Sequence, residues 1–231
     1  MKKQIFFAAT AILFFSVNTN VQAQNFVGGR LSLAFQNVSA PSLNGQVSFN
    51  TISTYTIGAV GEFALGPNLS VQPELNYAEK GFKVNADAAG ISVFGTSINL
   101  GSSAVTSVKY IDVPVMLKYK FGDAGGLRWY VTGGPTFGYA SSGSLNTYAD
   151  VIIKLKLTST PIDFTANGFN QFEVGGAIGG GLEIPVGDNK FFADVRYTHG
   201  FTDVYTVPVI GVAVRNTGFA IGVGYMVSFG K

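Results

Sequence analysis

The chain has no cysteine, one histidine, one tryptophan and few charges, with Asp, Glu, Lys and Arg making up only 12% of its 231 residues. A soluble domain carries about 25%. Without cysteine there can be no disulfide, and no His/Cys/acid cluster has metal-ligand spacing. Also missing is any internal run of the ~20 continuous apolar residues that a membrane-spanning helix needs. Low charge without such a helix leaves two classes. One is a well-buried soluble β-protein; the other is a membrane barrel whose apolar residues are spread over alternate positions. The length suits one barrel or sandwich domain.

The N-terminus bears on that choice. Met1-Lys2-Lys3 is basic, Ile5 to Val17 is largely apolar, and Val21-Gln22-Ala23 puts small residues three and one positions before Gln24. This is the pattern of a secretory signal peptide over 1–23, leaving 24–231 as a single barrel domain. Removing it takes Lys2 and Lys3 from the fifteen basic residues, so thirteen remain against thirteen acids. A neutral product gives no electrostatic case for binding nucleic acid.

What is abundant is alternation. From Phe219 to Phe229 every odd position is bulky and apolar (Phe219, Ile221, Val223, Tyr225, Val227, Phe229), while the even ones are small or slim. That is a two-faced strand. Seven more follow the same pattern upstream, beginning near Val27, Ser53, Leu69, Val105, Leu127, Phe169 and Lys190. Their connections alternate long and short. Gly66-Pro67-Asn68, Gly122 to Gly126 and Pro185 to Asn189 are short turns, while 39–52, 86–104, 140–168 and 202–215 are long. Within the longest, Ile153, Leu155 and Leu157 alternate with Lys154, Lys156 and Thr158, which suggests a projecting hairpin arm whose lysines discourage edge association.

Charges fall on the face opposite the apolar one: Arg30, Glu62, Glu74, Asp112, Lys118, Arg128, Glu173, Glu183, Asp194 and Arg196. In a membrane barrel these point inward and must pair, because unpaired buried charge is costly. Aromatics on the apolar face form two belts. Phe63, Tyr119, Phe121, Trp129, Phe191 and Phe229 lie near the turn end; Tyr55, Tyr77, Phe137, Tyr139, Phe172, Tyr197 and Phe219 lie near the loop end. A bilayer slab selects such belts. The expected fold is therefore all-β: an eight-stranded antiparallel up-and-down transmembrane β-barrel with short periplasmic turns and long external loops.

Several stretches carry a family resemblance: Gln72-Pro73-Glu74-Leu75-Asn76-Tyr77-Ala78-Glu79-Lys80-Gly81, Tyr110 to Tyr119, Gly133-Gly134-Pro135, Gly179-Gly180-Gly181-Leu182-Glu183, the Arg196-Tyr197 pair and Gly224-Tyr225. Together they resemble the small outer-membrane β-barrel family typified by PorT. The resemblance implies an eight-stranded barrel in the bacterial outer membrane, surrounded by its lipid; it does not imply an enzyme. It carries no residue set for a role in protein secretion. It also implies recognition of the aromatic-rich last strand by the barrel assembly machinery, although Gly230-Lys231 replace the usual terminal aromatic. Pro73, Pro114 and Pro135 lie within strands, and β-bulges are expected there.

The remaining candidates favour structural roles. His199 has Asp203 near it in sequence but no nucleophile motif, so a surface residue outweighs a triad. Gly175, Gly176, Gly179, Gly180 and Gly181 do not have phosphate-loop spacing and fit close packing in a narrow barrel. An eight-stranded barrel is just wide enough for its own side chains to fill, so the inward charges read as a structural network ahead of a channel lining. No catalytic residue, metal or cofactor is assigned. The functional expectation is a non-enzymatic outer-membrane barrel that is structural or shows its loops to a ligand or protein. The alternatives are a soluble lipocalin-like binding barrel, a small channel or a membrane-embedded hydrolase.

Overall fold

The computed structural model describes residues 24–39, 48–85, 91–93, 96–98, 102–123, 125–150, 154–165, 169–207 and 212–229. The expected signal segment and parts of the four long connections lie outside the described residues. Among those described there is no helix. Eight long strands dominate: β1 (Asn25–Ser39), β2 (Ile52–Ala64), β3 (Leu69–Asn85), β4 (Ser102–Phe121), β5 (Arg128–Asp150), β6 (Phe172–Val186), β7 (Asn189–Gly200) and β8 (Val212–Phe229). Each pairs antiparallel with the next, and β8 returns to β1 over fifteen positions, from Asn25 opposite Phe229 to Ser39 opposite Arg215. The barrel is closed, so no strand edge within it is left for the bilayer, where an unpaired backbone group is costly.

Alternation fixes which side faces out. Along β1, Leu31 and Leu33 are 53% and 51% exposed while Arg30, Ser32 and Ala34 are buried. The same inversion of a soluble protein holds around the ring: Ile57, Leu75, Leu117, Val131, Ile178 and Ile221 are exposed, and Glu62, Gln72, Lys118, Thr132 and Asp194 are buried. An apolar outside and a charged inside exclude the soluble lipocalin-like alternative, whose apolar face would have to turn inward. Eleven of the thirteen belt aromatics expected above are at least 40% exposed, and Trp129 reaches 59%. The remaining two, Phe63 and Phe137, are half-buried.

The turns at one end are tight. Gly187-Asp188 alone joins β6 to β7, with Gly187 at φ 62°, the left-handed region that glycine enters without strain. The other end is tall. β3, β4 and β5 run well past the loop-end belt, so most of 140–150, expected to be loop, is strand. The sequence hides this because a wall above the bilayer needs no apolar outer face: Ser141 and Ser142 are exposed there. A β-bulge marks the change. Pairing between β4 and β5 shifts between Lys109 and Tyr110, leaving Ser141 as the extra residue, and its hydroxyl donates to the Lys109 carbonyl at 3.0 Å. Beyond it the buried positions change parity, to Leu145 and Thr147. Lys154–Pro161 pairs with Ser144 to Asp150 as the expected hairpin arm.

The prolines do not produce the bulges expected of them. Pairing skips beside Pro73 on the β2 side and beside Pro114 and Pro135 between β4 and β5, then resumes in the same register. Each missing N–H removes a rung without adding a residue.

Candidate functional site: the charged lumen

The inward face of the barrel stacks its charges in three layers. Nearest the turns, Lys118 Nζ donates to Glu62 at 2.9 Å and contacts Glu183; Lys190 Nζ donates to Glu62 and Glu183 at 2.7 and 2.9 Å; and Lys120 contacts Glu62. Lys118 also lies 3.9 Å from the Tyr130 ring centroid and Lys190 4.0 Å from that of Phe26, favourable positions for a desolvated cation. Val60, Tyr130, Phe192 and Met226 form an apolar cluster at this level, with Phe26 packed against it.

In the middle layer Arg30 meets Asp194 at 2.5 Å and Glu74 at 3.9 Å, while Arg196 reaches Glu74 at 2.8 Å and Asp194 at 3.0 Å. Gln72, Asn76 and Tyr130 donate further hydrogen bonds to these carboxylates. Nearest the loops, Lys80 lies 3.0 Å from both Asp112 and Glu173, and Asn216 donates to Glu173 at 3.0 Å. One interior position further out the lumen turns apolar, with one cluster of Val38, Phe82, Val84, Val204 and Val214 and a second of Val108, Tyr110 and Ala140.

Glycine makes this density feasible. A Cβ on Gly222 would fall on the Arg30 guanidinium, one on Gly218 would sit 2.5 Å from Gln36 Oε1, and one on Gly200 2.8 Å from Glu173 Oε1. Between the middle and loop-end layers runs a ring of small side chains: Ser32, Ala34, Thr56, Ala78, Thr136 and Ala220 are among them. They leave a chamber of about 80 Å³ inside the barrel wall, lined by small apolar side chains as well as charged ones.

Nine of the ten residues picked out by alternation lie buried in these layers. Arg128 does not join them. As the first residue of β5 it reaches along the rim, donating to Pro67 O at 3.3 Å and Asn68 Oδ1 at 2.7 Å. Three lysines that sequence reasoning left out complete the set: Lys80, Lys120 and Lys190. The described layers thus hold six acids and six bases, where the sequence reading had six and four. Strand parity carries the signal for all three, since Lys80 shares the face of Glu74, Lys120 that of Lys118, and Lys190 that of Asp194.

His199 lies on the outward face, its ring between those of Tyr197 and Phe201 with centroids 6.4 and 6.1 Å away. Asp203 is engaged elsewhere, accepting from Arg215 Nε at 2.6 Å, so the acid nearest in sequence is not oriented toward the imidazole. Among the described residues no group of three or more His, Asp or Glu side chains is arranged to hold a metal ion.

Comparison with known proteins agrees with this architecture. Residues 22–206 match the outer membrane protein beta-barrel domain family. The chain belongs to that family. It is accordingly a protein of the bacterial outer membrane. No curated protein sequence matches it. Solved structures similar to it include the Neisserial surface protein A, NspA (15% identity, 89% of this chain and 97% of that one covered, TM-score 0.47). OprG of Pseudomonas aeruginosa (12% identity, 91% and 98% covered, TM-score 0.49) and Ail, the attachment invasion locus protein of Yersinia pestis (12% identity, 88% and 99% covered, TM-score 0.39), are others.

Proposed function

We propose that this barrel is a closed, non-enzymatic scaffold of the outer membrane that holds its tall loop end outside the cell for a ligand or protein partner. Residues 1–23 serve as its export signal and 24–231 as the barrel domain. The observation that carries the reading is the filling of the lumen. Ion-pair layers and apolar clusters succeed one another from the turns to the loops, and the chamber between the middle and loop-end layers is small and bounded at both ends by charge. A conducting pore would need a continuous wet path. The rigid wall of β3, β4, β5 and the Lys154–Pro161 arm then serves as the platform on which the loops vary. The resemblance to PorT-type barrels supports the same architecture, and no secretion role is carried over with it.

The test is electrical. Protein refolded into a planar bilayer is expected to show heat-modifiable gel mobility, as a stable closed barrel does, yet no steady conductance. Sustained single-channel steps from folded protein would overturn the scaffold reading in favour of a channel.

A further inference from the structure

The loop end of the barrel is not the same all round. β6 begins at the belt residue Phe172 and β7 ends at Gly200, just past Tyr197, whereas β3, β4 and β5 carry the wall on above the belt. On the short side the polar groups above the belt pair with one another. Thr217 Oγ1 donates to the Tyr197 hydroxyl at 3.1 Å, and Arg215 Nε donates to Asp203 at 2.6 Å.

The tall side leaves its donors open. On the outward face of β4, Ile111 is paired with the belt tyrosines Tyr77 of β3 and Tyr139 of β5, and Lys109 is the next outward residue. Two residues add ~7 Å along a strand, or about 5 Å of depth at a tilt of ~40°. The headgroup layer beyond the hydrocarbon is about 5–7 Å thick on each side. Lys109 is exposed and therefore stands at the depth of the lipid phosphates.

The β-bulge between β4 and β5 acts at this point. Its extra residue puts Ser141 and Ser142, consecutive in the chain, both on the outside, with Ser142 directly opposite Lys109. Residues so opposed have Cβ atoms about 4.5–5.5 Å apart. Ser141 gives its hydroxyl proton to the Lys109 carbonyl. The Lys109 ammonium and the hydroxyls of Ser142, Tyr77 and Tyr139 have no partner among the described residues. Glu79, opposite Lys109 on β3, takes the Ser107 hydroxyl, one outward position further from the bilayer, and makes no ion pair with Lys109 among the described residues.

From these four open donors gathered at one depth, we propose that the outer wall at Lys109 binds the phosphate of a phosphorylated lipid of the outer leaflet. The ammonium supplies the charge, Ser142 a hydrogen bond from the side, and the two tyrosines hydrogen bonds from below, their rings already in the interface. The acyl chains lie on the apolar face beneath, along Ile111 and Val113, so the site continues the lipid contact of the barrel. The inference rests on the lipid-facing wall and does not depend on the scaffold reading.

The test is native mass spectrometry of the refolded barrel released from neutral detergent micelles. The micelles are titrated with phosphatidic acid, phosphatidylcholine or a fatty acid of the same chain length. A lysine at an anionic surface contributes about fivefold in affinity, so the first phosphatidic acid should bind about fivefold more tightly than the first phosphatidylcholine. Lys109→Gln should remove that preference, Lys109→Arg should keep it, and Glu79→Gln, which removes the opposing charge, should strengthen it. Lys83→Gln changes a lysine on the outward face of β3 about 10 Å further from the bilayer by the same strand rise and tilt, and should leave the preference unchanged. Lys109 is exposed, so its variants should keep the heat-modifiable gel mobility of the folded barrel. A preference that survives in Lys109→Gln would overturn the proposal. Equally tight binding of the fatty acid would reduce it to surface charge without a phosphate site, and loss of the bound lipid to millimolar inorganic phosphate would assign the site to a soluble ion; either result overturns it.

Discussion

Replacing Glu62 with Gln should be among the most damaging isosteric changes in the protein. Glu62 is fully buried and meets Lys118 at 2.9 Å, Lys190 at 2.7 Å and also Lys120. With an amide at 62, three ammonium groups would share the single carboxylate of Glu183. Lys120 and Lys190 are 9% and 6% exposed at the turn end and can relax toward water. Lys118, at 0%, cannot. Removing one partner of a buried ion pair costs about 3–5 kcal/mol, and the upper part of that range applies because one carboxylate serves three cations. Removing Lys118 as well, as Met, restores the original charge difference of the layer. The double variant should therefore recover a large share of the loss, with a coupling of about 2–3 kcal/mol. Asp203→Asn is the contrast. Its partner Arg215 is 46% exposed and Asp203 40%, and such surface pairs contribute under about 1 kcal/mol. Urea unfolding of barrel refolded in lipid vesicles, read by gel mobility, compares the three. A Glu62→Gln cost no larger than that of Asp203→Asn would refute the claim that this layer is a dehydrated ion lattice.

Three further outcomes follow from the same geometry. Gly222→Val should prevent or badly weaken folding, because its side chain would displace the Arg30 guanidinium; Gly29→Val, on the lipid face with 3.8 Å to its nearest neighbour, should change unfolding little. Leu31→Arg puts a charge on the outer wall about midway between the belts and should cost about 2–4 kcal/mol in vesicles, where equal stability would contradict a lipid-facing wall. Phe82→Ala opens the apolar cluster above the charged layers and should destabilise by about 3–5 kcal/mol, measured by the same unfolding assay.

Within the bilayer the fold was legible in the sequence because two solvents act on each strand. Lipid demands an apolar residue at every second position, as Phe219 to Phe229 shows, and the crowded lumen demands small or paired polar ones. Outside the bilayer that demand ends, and Ala140–Asp150, with three serines and few apolar residues, looked like loop although it is strand. The charge layers were legible as a face but not as layers. Which carboxylate meets which cation depends on register between strands distant in sequence: Glu62 and Lys190 are 128 positions apart. Arg128 shows the limit of parity, since a long side chain at a strand's first residue can serve the rim in place of the lumen. The small-residue ring around the chamber was visible only residue by residue, as unremarkable Ala, Ser and Thr on seven separate strands, with Pro114 on the eighth.

The central claim is the inversion of the barrel, with charge inside and hydrocarbon outside. The native chain has no cysteine, so single cysteines at successive positions 27–36 of β1 can be spin-labelled in vesicles and probed with oxygen, which concentrates in lipid, and with a water-soluble nickel chelate. The account predicts a period of two, with oxygen contact at 27, 29, 31, 33 and 35 and protection from both reagents at the even positions that fold. Nickel contact at the odd positions, or oxygen contact without a period, would contradict it.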